Sequence, residues 1–195
     1  CEKFVPGFTP EFFRQALLSV DAATLPLAEG QTVEQLYEEV APVIFDPKVM
    51  PKRVNQAAGE DLVLTSACNY YDGVTQQEAE AFYSAMKDPK DETPVSYGLN
   101  SRLVKENGKI QEKVWKVGGL YGAAIGKIVY WLKKAEGVAE NPEQKAVIAK
   151  LIEFYETGDL KTFDDYAILW VKDLDSRIDF VNGFTESYGD PLGMK

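Results

Sequence analysis

Apolar side chains in the second half of the chain fall at helical spacing. Tyr121, Ile125, Ile128, Leu132 and Ala135 line one face, with Lys133 and Lys134 in the last turn before Gly137. Asn141-Pro142 restarts a helix on which Val147, Leu151 and Phe154 form an apolar face, widened by Ile148, Ile152 and Tyr155 and ended by Gly158. Thr162 is placed to cap a third helix running through Trp170. So wide a face predicts a helical hairpin buried against a neighbouring layer.

The first hundred residues read as short helices punctuated by Pro and Gly. Thr9-Pro10-Glu11 is a cap followed by Pro at the first helical position, opening a helix over 12–20. Thr32-Val33-Glu34-Gln35 has capping-box spacing and starts a helix toward Val40, which Pro42 is expected to end. Thr75-Gln76-Gln77-Glu78 repeats that spacing before a helix over 79–86, closed by Asp88-Pro89. Residues 45–58 read as a Pro-containing connector and 61–67 as a short strand.

Between these helical halves, two polar–apolar runs, 102–106 and 109–117, flank Asn107-Gly108. Asn-Gly tolerates the positive φ of a type I′ turn, so the pattern predicts a β-hairpin, closed by Gly118-Gly119. In the tail the period changes to two. Ile178, Phe180, Asn182, Phe184, Glu186 and Tyr188 share one face if the segment is a strand, and Gly183 and Thr185 weigh against helix. Gly189-Asp190-Pro191 ends it. The expected fold class is α+β and helix-rich, with a helical segment over 1–92, a β-hairpin over 93–119, helices over 120–172, and a strand and turn over 173–195.

Composition narrows the chemistry. At 195 residues, 45% hydrophobic and 27% charged, the chain is long enough for one ordinary domain with a real core. Lys and Arg number 21 against 31 Asp and Glu, a net charge of −10, which argues against nucleic acid and against an anionic membrane surface as partners. The longest hydrophobic run, 166–171, is far short of the ~20 residues that span a bilayer. There is no His, which removes a Ser/His/Asp triad, a Cys/His pair and any His-based zinc site from this chain. Cys1 and Cys68 are too few for a disulfide scaffold, and an N-terminal Cys is read here as an internal residue at a fragment boundary rather than as a mature lipoprotein terminus.

Three candidate motifs give way to structural readings. Gly119, Gly122 and Gly126-Lys127 suggest a phosphate loop, but Tyr121 stands where the first Gly belongs and Ile128 replaces the Ser or Thr; close backbone packing at Gly122 and Gly126 is the better reading. Asp173, Asp175 and Asp179 suggest a calcium loop, but Arg177 occupies a ligand position and the loop Gly is missing. Trp115, Trp131 and Trp170 are assigned to core or interface packing. Glu186-Ser187-Tyr188 stands apart, because a carboxylate and a phenol at the end of an apolar strand face need partners. On pattern alone, a strand-end Glu in solvent beside a half-buried Tyr still outweighs a functional pair.

The run Gly183-Phe184-Thr185-Glu186-Ser187-Tyr188-Gly189-Asp190-Pro191-Leu192-Gly193 closely resembles a stretch of the dipeptidyl peptidase III, or M49, family of zinc metallopeptidases. Asn100-Ser101-Arg102-Leu103-Val104-Lys105-Glu106-Asn107-Gly108, Lys116-Val117-Gly118-Gly119-Leu120-Tyr121-Gly122, Thr157-Gly158-Asp159-Leu160-Lys161-Thr162 and Val54-Asn55-Gln56-Ala57-Ala58-Gly59 look like its bacterial, Bacteroides-type branch. The resemblance covers essentially the whole chain. It implies part of the non-zinc lobe of a two-lobed enzyme that releases dipeptides from peptide N-termini. The zinc ligands of the family lie in a His-Glu-x-x-Gly-His helix and a later Glu-bearing motif, both downstream of the Gly-Asp-Pro segment. Zinc is therefore expected in the full-length parent and not on this chain, which alone is expected to be inactive. Carried over by position, Glu186 matches the carboxylate that binds the substrate's free α-ammonium, and Tyr188 the tyrosine that hydrogen-bonds the substrate and stabilises the transition state. The implied partners are an oligopeptide with a free N-terminus and the remainder of the parent enzyme. The implied compartment is the cytoplasm, with the periplasm or a lipoprotein left open. The rival from another class is a stand-alone, non-catalytic binding module derived from the same lobe.

Overall fold

The structure, a computed structural model, describes residues 3–183 and 189–195. Among them are helices α1 (Pro10–Ser19), α2 (Val33–Phe45), α3 (Gln76–Met86), α4 (Gly122–Glu136), α5 (Pro142–Thr157) and α6 (Leu160–Lys172), a short 3₁₀ turn at Ala22–Thr24, and strands β1 (Tyr71–Asp72), β2 (Ser101–Glu106) and β3 (Lys109–Val114). The fold class is α+β and helix-rich. The chain divides into two compact units, Cys1–Cys68 and Asn69–Lys195.

In the first unit, helix starts follow local chemistry. Thr9 Oγ1 accepts from Phe12 N ahead of Pro10, and Thr32 and Gln35 form the reciprocal capping box at α2. Pro42 does not end α2. The helix runs one further turn to Phe45, whose ring meets those of Phe8 and Phe13 at 5.9 Å each, so an aromatic contact holds a turn that Pro would otherwise disfavour. The strand expected over 61–67 is instead a hydrogen-bonded turn. Asp61 accepts from Val63 N (3.0 Å) and Leu64 N (2.9 Å), and the Thr65 and Ser66 hydroxyls donate to the carbonyls of Asp61 and Leu62 (2.6 Å each). Short polar side chains here outcompete strand pairing for the backbone. Buried Asn55 is the hub beside this turn. Its N–H donates to Ser66 Oγ (2.8 Å), its Nδ2 to Glu60 (2.5 Å) and Thr65 (2.7 Å), and its Oδ1 accepts from Lys52 Nζ (2.9 Å).

The second unit carries the expected hairpin. Asn107 and Gly108 adopt φ of 51° and 76°, and β2 pairs antiparallel with β3 from Ser101↔Val114 to Glu106↔Lys109. Strand β1 adds in parallel, Tyr71 opposite Leu103, giving the order β1-β2-β3. Helix α3 starts at its Thr75/Glu78 capping box and buries Ala79 and Tyr83. All six apolar residues assigned to the face of α5 are buried, and the Phe154 ring meets that of Phe163 of α6 at 4.7 Å, tilted by 43°. The cap of α6 is Asp159, which accepts from Lys161 N (2.7 Å); Thr162 lies buried inside the helix. In α4 the expected Ile125 is buried, Val129 is buried in place of the expected Ile128, and Trp131 is exposed, outside the core.

Glycine reconciles sheet and helices at one junction. Gly158 ends α5 at φ 72°, and a Cβ there would lie 2.6 Å from Val114 Cγ1. Asn100 Nδ2 donates to Gly158 O (2.9 Å) and Val117 N to Tyr155 O (2.9 Å), joining the sheet end to the end of α5. Of the two α4 glycines, Gly122 does approach another backbone, since a Cβ would lie 3.3 Å from Lys116 O, whereas Gly126 faces open space.

Candidate functional site

Glu186 and Tyr188, the two residues singled out in the sequence, lie outside the described residues. The chain on either side of them is described, and both flanks are tied to core elements.

The upstream flank leaves α6 at Asp173, whose carboxylate accepts from Ser176 Oγ (2.8 and 2.7 Å). Residues 176–182 then run along α5 from its N-cap toward its last turns. Ser176 Oγ accepts from Asn141 Nδ2 (3.0 Å), Glu140 accepts from the N–H groups of Arg177 (3.2 Å) and Ile178 (2.8 Å), and Gln144 Nε2 donates to Ile178 O (2.9 Å). Asp179 accepts from Trp170 Nε1 (2.8 Å), and the Tyr155 hydroxyl donates to Asn182 Oδ1. The described part of the expected C-terminal strand, 178–183, is therefore not in a strand: at Ile178 both backbone groups are engaged by side chains of the α4–α5 region. Asp173 and Asp179, weighed as calcium ligands, are occupied by these contacts. The Ile178 N–H, then Arg177, hold the Glu140 carboxyl below the usual glutamate range. A groove of about 360 Å³ opens between α4, α5 and this arm, lined by Leu132, Val138, Ile148, Ile178 and Val181.

The downstream flank is organised by Asp190. Its carboxylate accepts from the N–H groups of Leu192 (3.0 Å), Met194 (2.6 Å) and Lys195 (2.9 Å), which folds 190–195 into a compact turn around buried Pro191. The Tyr71 hydroxyl of β1 donates to the same carboxylate, at 2.9 and 3.0 Å from its two oxygens. Lys195 Nζ closes the turn onto the sheet, donating to Tyr83 Oη and to the carbonyls of Gly98 (3.2 Å) and Ser101 (3.0 Å), 4.8 Å from the centre of the Tyr83 ring. Tyr83 and Ser101 in turn donate to Glu112, so the ammonium and this carboxylate are bridged by two hydroxyls. Burial raises the Tyr83 phenol far above its ordinary value, and pushes that of Tyr155 up to about 12. Both remain protonated donors at neutral pH.

Sequence reasoning placed Asp190 as a strand end and Tyr155 as part of an apolar face, and it passed over Tyr71, Tyr83 and Lys195. No local signal marks them, because Tyr71 meets its acceptor 119 residues away. Among the described residues, no group of three or more His, Cys, Asp or Glu could hold a metal ion, and no helix is long and apolar enough to cross a membrane.

Comparison with known proteins identifies the relationship. The model of peptidase family M49 matches residues 56–195, which includes both flanks and the Glu186–Tyr188 stretch. Dipeptidyl peptidase 3 of Nematostella vectensis is 23% identical over 222 residues, covering 99% of this chain and 30% of the relative. The human dipeptidyl peptidase 3 is 31% identical over 77 residues, 40% of this chain and 10% of the relative. Among solved structures, DPP III from Caldithrix abyssi aligns over 86% of this chain and 29% of its own, with 17% identity and a TM-score of 0.43. The chain thus spans at most about a third of the relatives it matches, and within that span it belongs to peptidase family M49.

Proposed function

We propose that this chain forms part of the substrate cleft of a zinc-dependent exopeptidase that releases dipeptides from peptide N-termini. The observation that carries the reading is the family match through residues 56–195, which takes in the Glu186-Ser187-Tyr188 stretch, together with relatives named dipeptidyl peptidase 3. In this reading Glu186 binds the free α-ammonium by a charge-assisted hydrogen bond and so measures two residues, about 7 Å of extended chain, to the scissile bond. Tyr188 donates its phenolic hydrogen to the carbonyl oxygen as negative charge develops there, a contribution on the order of 3 kcal/mol.

The residues present do not make a zinc site. The chain has no His, and its described acidic and Cys residues form no ligand group. The metal belongs, in this reading, to polypeptide beyond these residues, and the 195-residue chain alone releases no dipeptide. The acidic balance suits capture of a cationic N-terminus rather than nucleic acid or an anionic membrane.

In the full-length protein, Glu186→Gln is expected to raise KM for peptides with a free N-terminus, and Tyr188→Phe to lower kcat roughly 10²-fold with little change in KM. Steady-state kinetics of dipeptide release checks both. Wild-type kinetics in the two variants, or dipeptide release by the isolated chain, would overturn the assignment.

A further inference from the structure

We propose that Lys195 is a latch that fixes the turn over 190–195 to the sheet, and that Glu112 is the opposing charge of the latch, reached through the hydroxyls of Tyr83 and Ser101. The inference goes beyond the peptidase reading and does not depend on it.

The turn has two ties to the sheet. One is Asp190, which accepts from the Tyr71 hydroxyl of β1. The other is Lys195, whose ammonium is surrounded by groups of α3, β1 and β2. Its Nζ donates to Tyr83 Oη, to Ser101 Oγ (3.3 Å) and to the carbonyls of Gly98 (3.2 Å) and Ser101 (3.0 Å). It also lies 4.8 and 5.5 Å from the centres of the Tyr83 and Tyr71 rings. An ammonium offers only donors, so a shell of oxygens and ring faces suits it. Gly98 takes φ 90°, and a Cβ there would lie 3.0 Å from Tyr83 Cζ, so glycine lets this carbonyl reach the ammonium beside the ring.

Tyr83 and Ser101 are 1% and 0% exposed, so little water reaches the bonds they make. A cation drawn into such surroundings is costly without an opposing charge. Glu112 of β3 supplies it. Each hydroxyl accepts from Lys195 Nζ and donates to the same oxygen, Glu112 Oε1, so two parallel bridges join the ammonium to one carboxylate oxygen. Each hydroxyl is polarised in the same sense from both sides, which strengthens both of its bonds. Glu112 stands opposite Leu103 in the β2–β3 register. The hairpin turn at Asn107-Gly108 therefore also decides where the latch can close, because a slip of one residue would carry this carboxylate to the other face of the sheet.

The test is amide hydrogen exchange in the full-length protein, read at Leu192 and Met194, whose N–H groups donate to Asp190, with the amides of α5 as the reference. Lys195→Met and Glu112→Gln are each expected to speed exchange in the turn about tenfold and to leave α5 unchanged. Tyr83→Phe keeps the ring and removes one of the two bridges, and is expected to give about threefold. The double variant Lys195→Met/Glu112→Gln is expected to exchange no faster than Lys195→Met, because both changes break one interaction. Wild-type exchange in Lys195→Met overturns the latch. Wild-type exchange in Glu112→Gln, or a double variant whose effect is the product of the two singles, overturns the bridge to Glu112. A variant that speeds α5 as much as the turn overturns the latch as a local device.

Discussion

Helices α1 and α2 of the first unit and α5 of the second are equally well signalled at their starts, each with a side-chain cap on the N–H groups of its first turn. They differ in what they bury. No residue of α1 or α2 is buried, although Phe8, Phe13 and Phe45 touch ring to ring, whereas α5 buries seven. The difference separates two questions that a helical pattern merges. Caps and spacing decide where a helix can form, while buried area decides how strongly it persists. The described flanks of the Glu186–Tyr188 stretch are bonded to the second kind of element, Ile178 and Asn182 to α5 and Asp190 to the sheet it joins.

The comparison is sharpened first by truncating its two cores. Leu151→Ala, at a wholly buried position of α5, is expected to cost about 3 kcal/mol, and Phe13→Ala, at a half-buried ring of α1, about 1 kcal/mol. Urea unfolding of the second unit and hydrogen exchange across α1 and α2 measure the two. Equal costs would make the aromatic cluster of the first unit a core in its own right. A smaller effect is expected at the caps: Thr32→Ala removes the capping box of α2, worth about 1 kcal/mol, and should raise amide exchange over Val33–Phe45 without altering α5.

The smallest effect concerns the arm that leads to the site. Glu140 has its folded pKa lowered by the Ile178 N–H and by Arg177, so its contribution is present above the ordinary value of 4.5 and is lost as pH falls through the depressed value. Exchange of the Ile178 amide should therefore rise in that acid window beyond the intrinsic pH trend, and Glu140→Gln should remove the excess. An Ile178 amide that ignores both changes would mean that Gln144 alone holds the arm.

Much of the second unit was legible because its signals are local. Asn107-Gly108 carries its own positive φ, Asn141 and Gly158 bracket α5, and the α5 face recurs within a few turns. Local signals failed where a distant or competing partner intervened. Pro42 was outweighed by the ring contacts of Phe45, the 61–67 segment by hydroxyls bonding back to its own carbonyls, and the 178–183 segment by Glu140 and Gln144, 34 to 38 residues away. For the site, a period-two pattern put Glu186 and Tyr188 on one face, but only the family resemblance raised them above an ordinary strand end.

From the chain of letters alone came the helix starts, the hairpin turn, the buried face of α5 and the membership of a peptidase family, because each is written in residues close in sequence or in a contiguous motif. The tertiary structure decided which phenols anchor the flanks of the candidate site and what replaces the expected strand pairing at Ile178. Those choices depend on hydrogen-bond partners up to 119 residues apart, and a hydroxyl bonded to a distant acceptor looks, in sequence, like any other tyrosine of an apolar face.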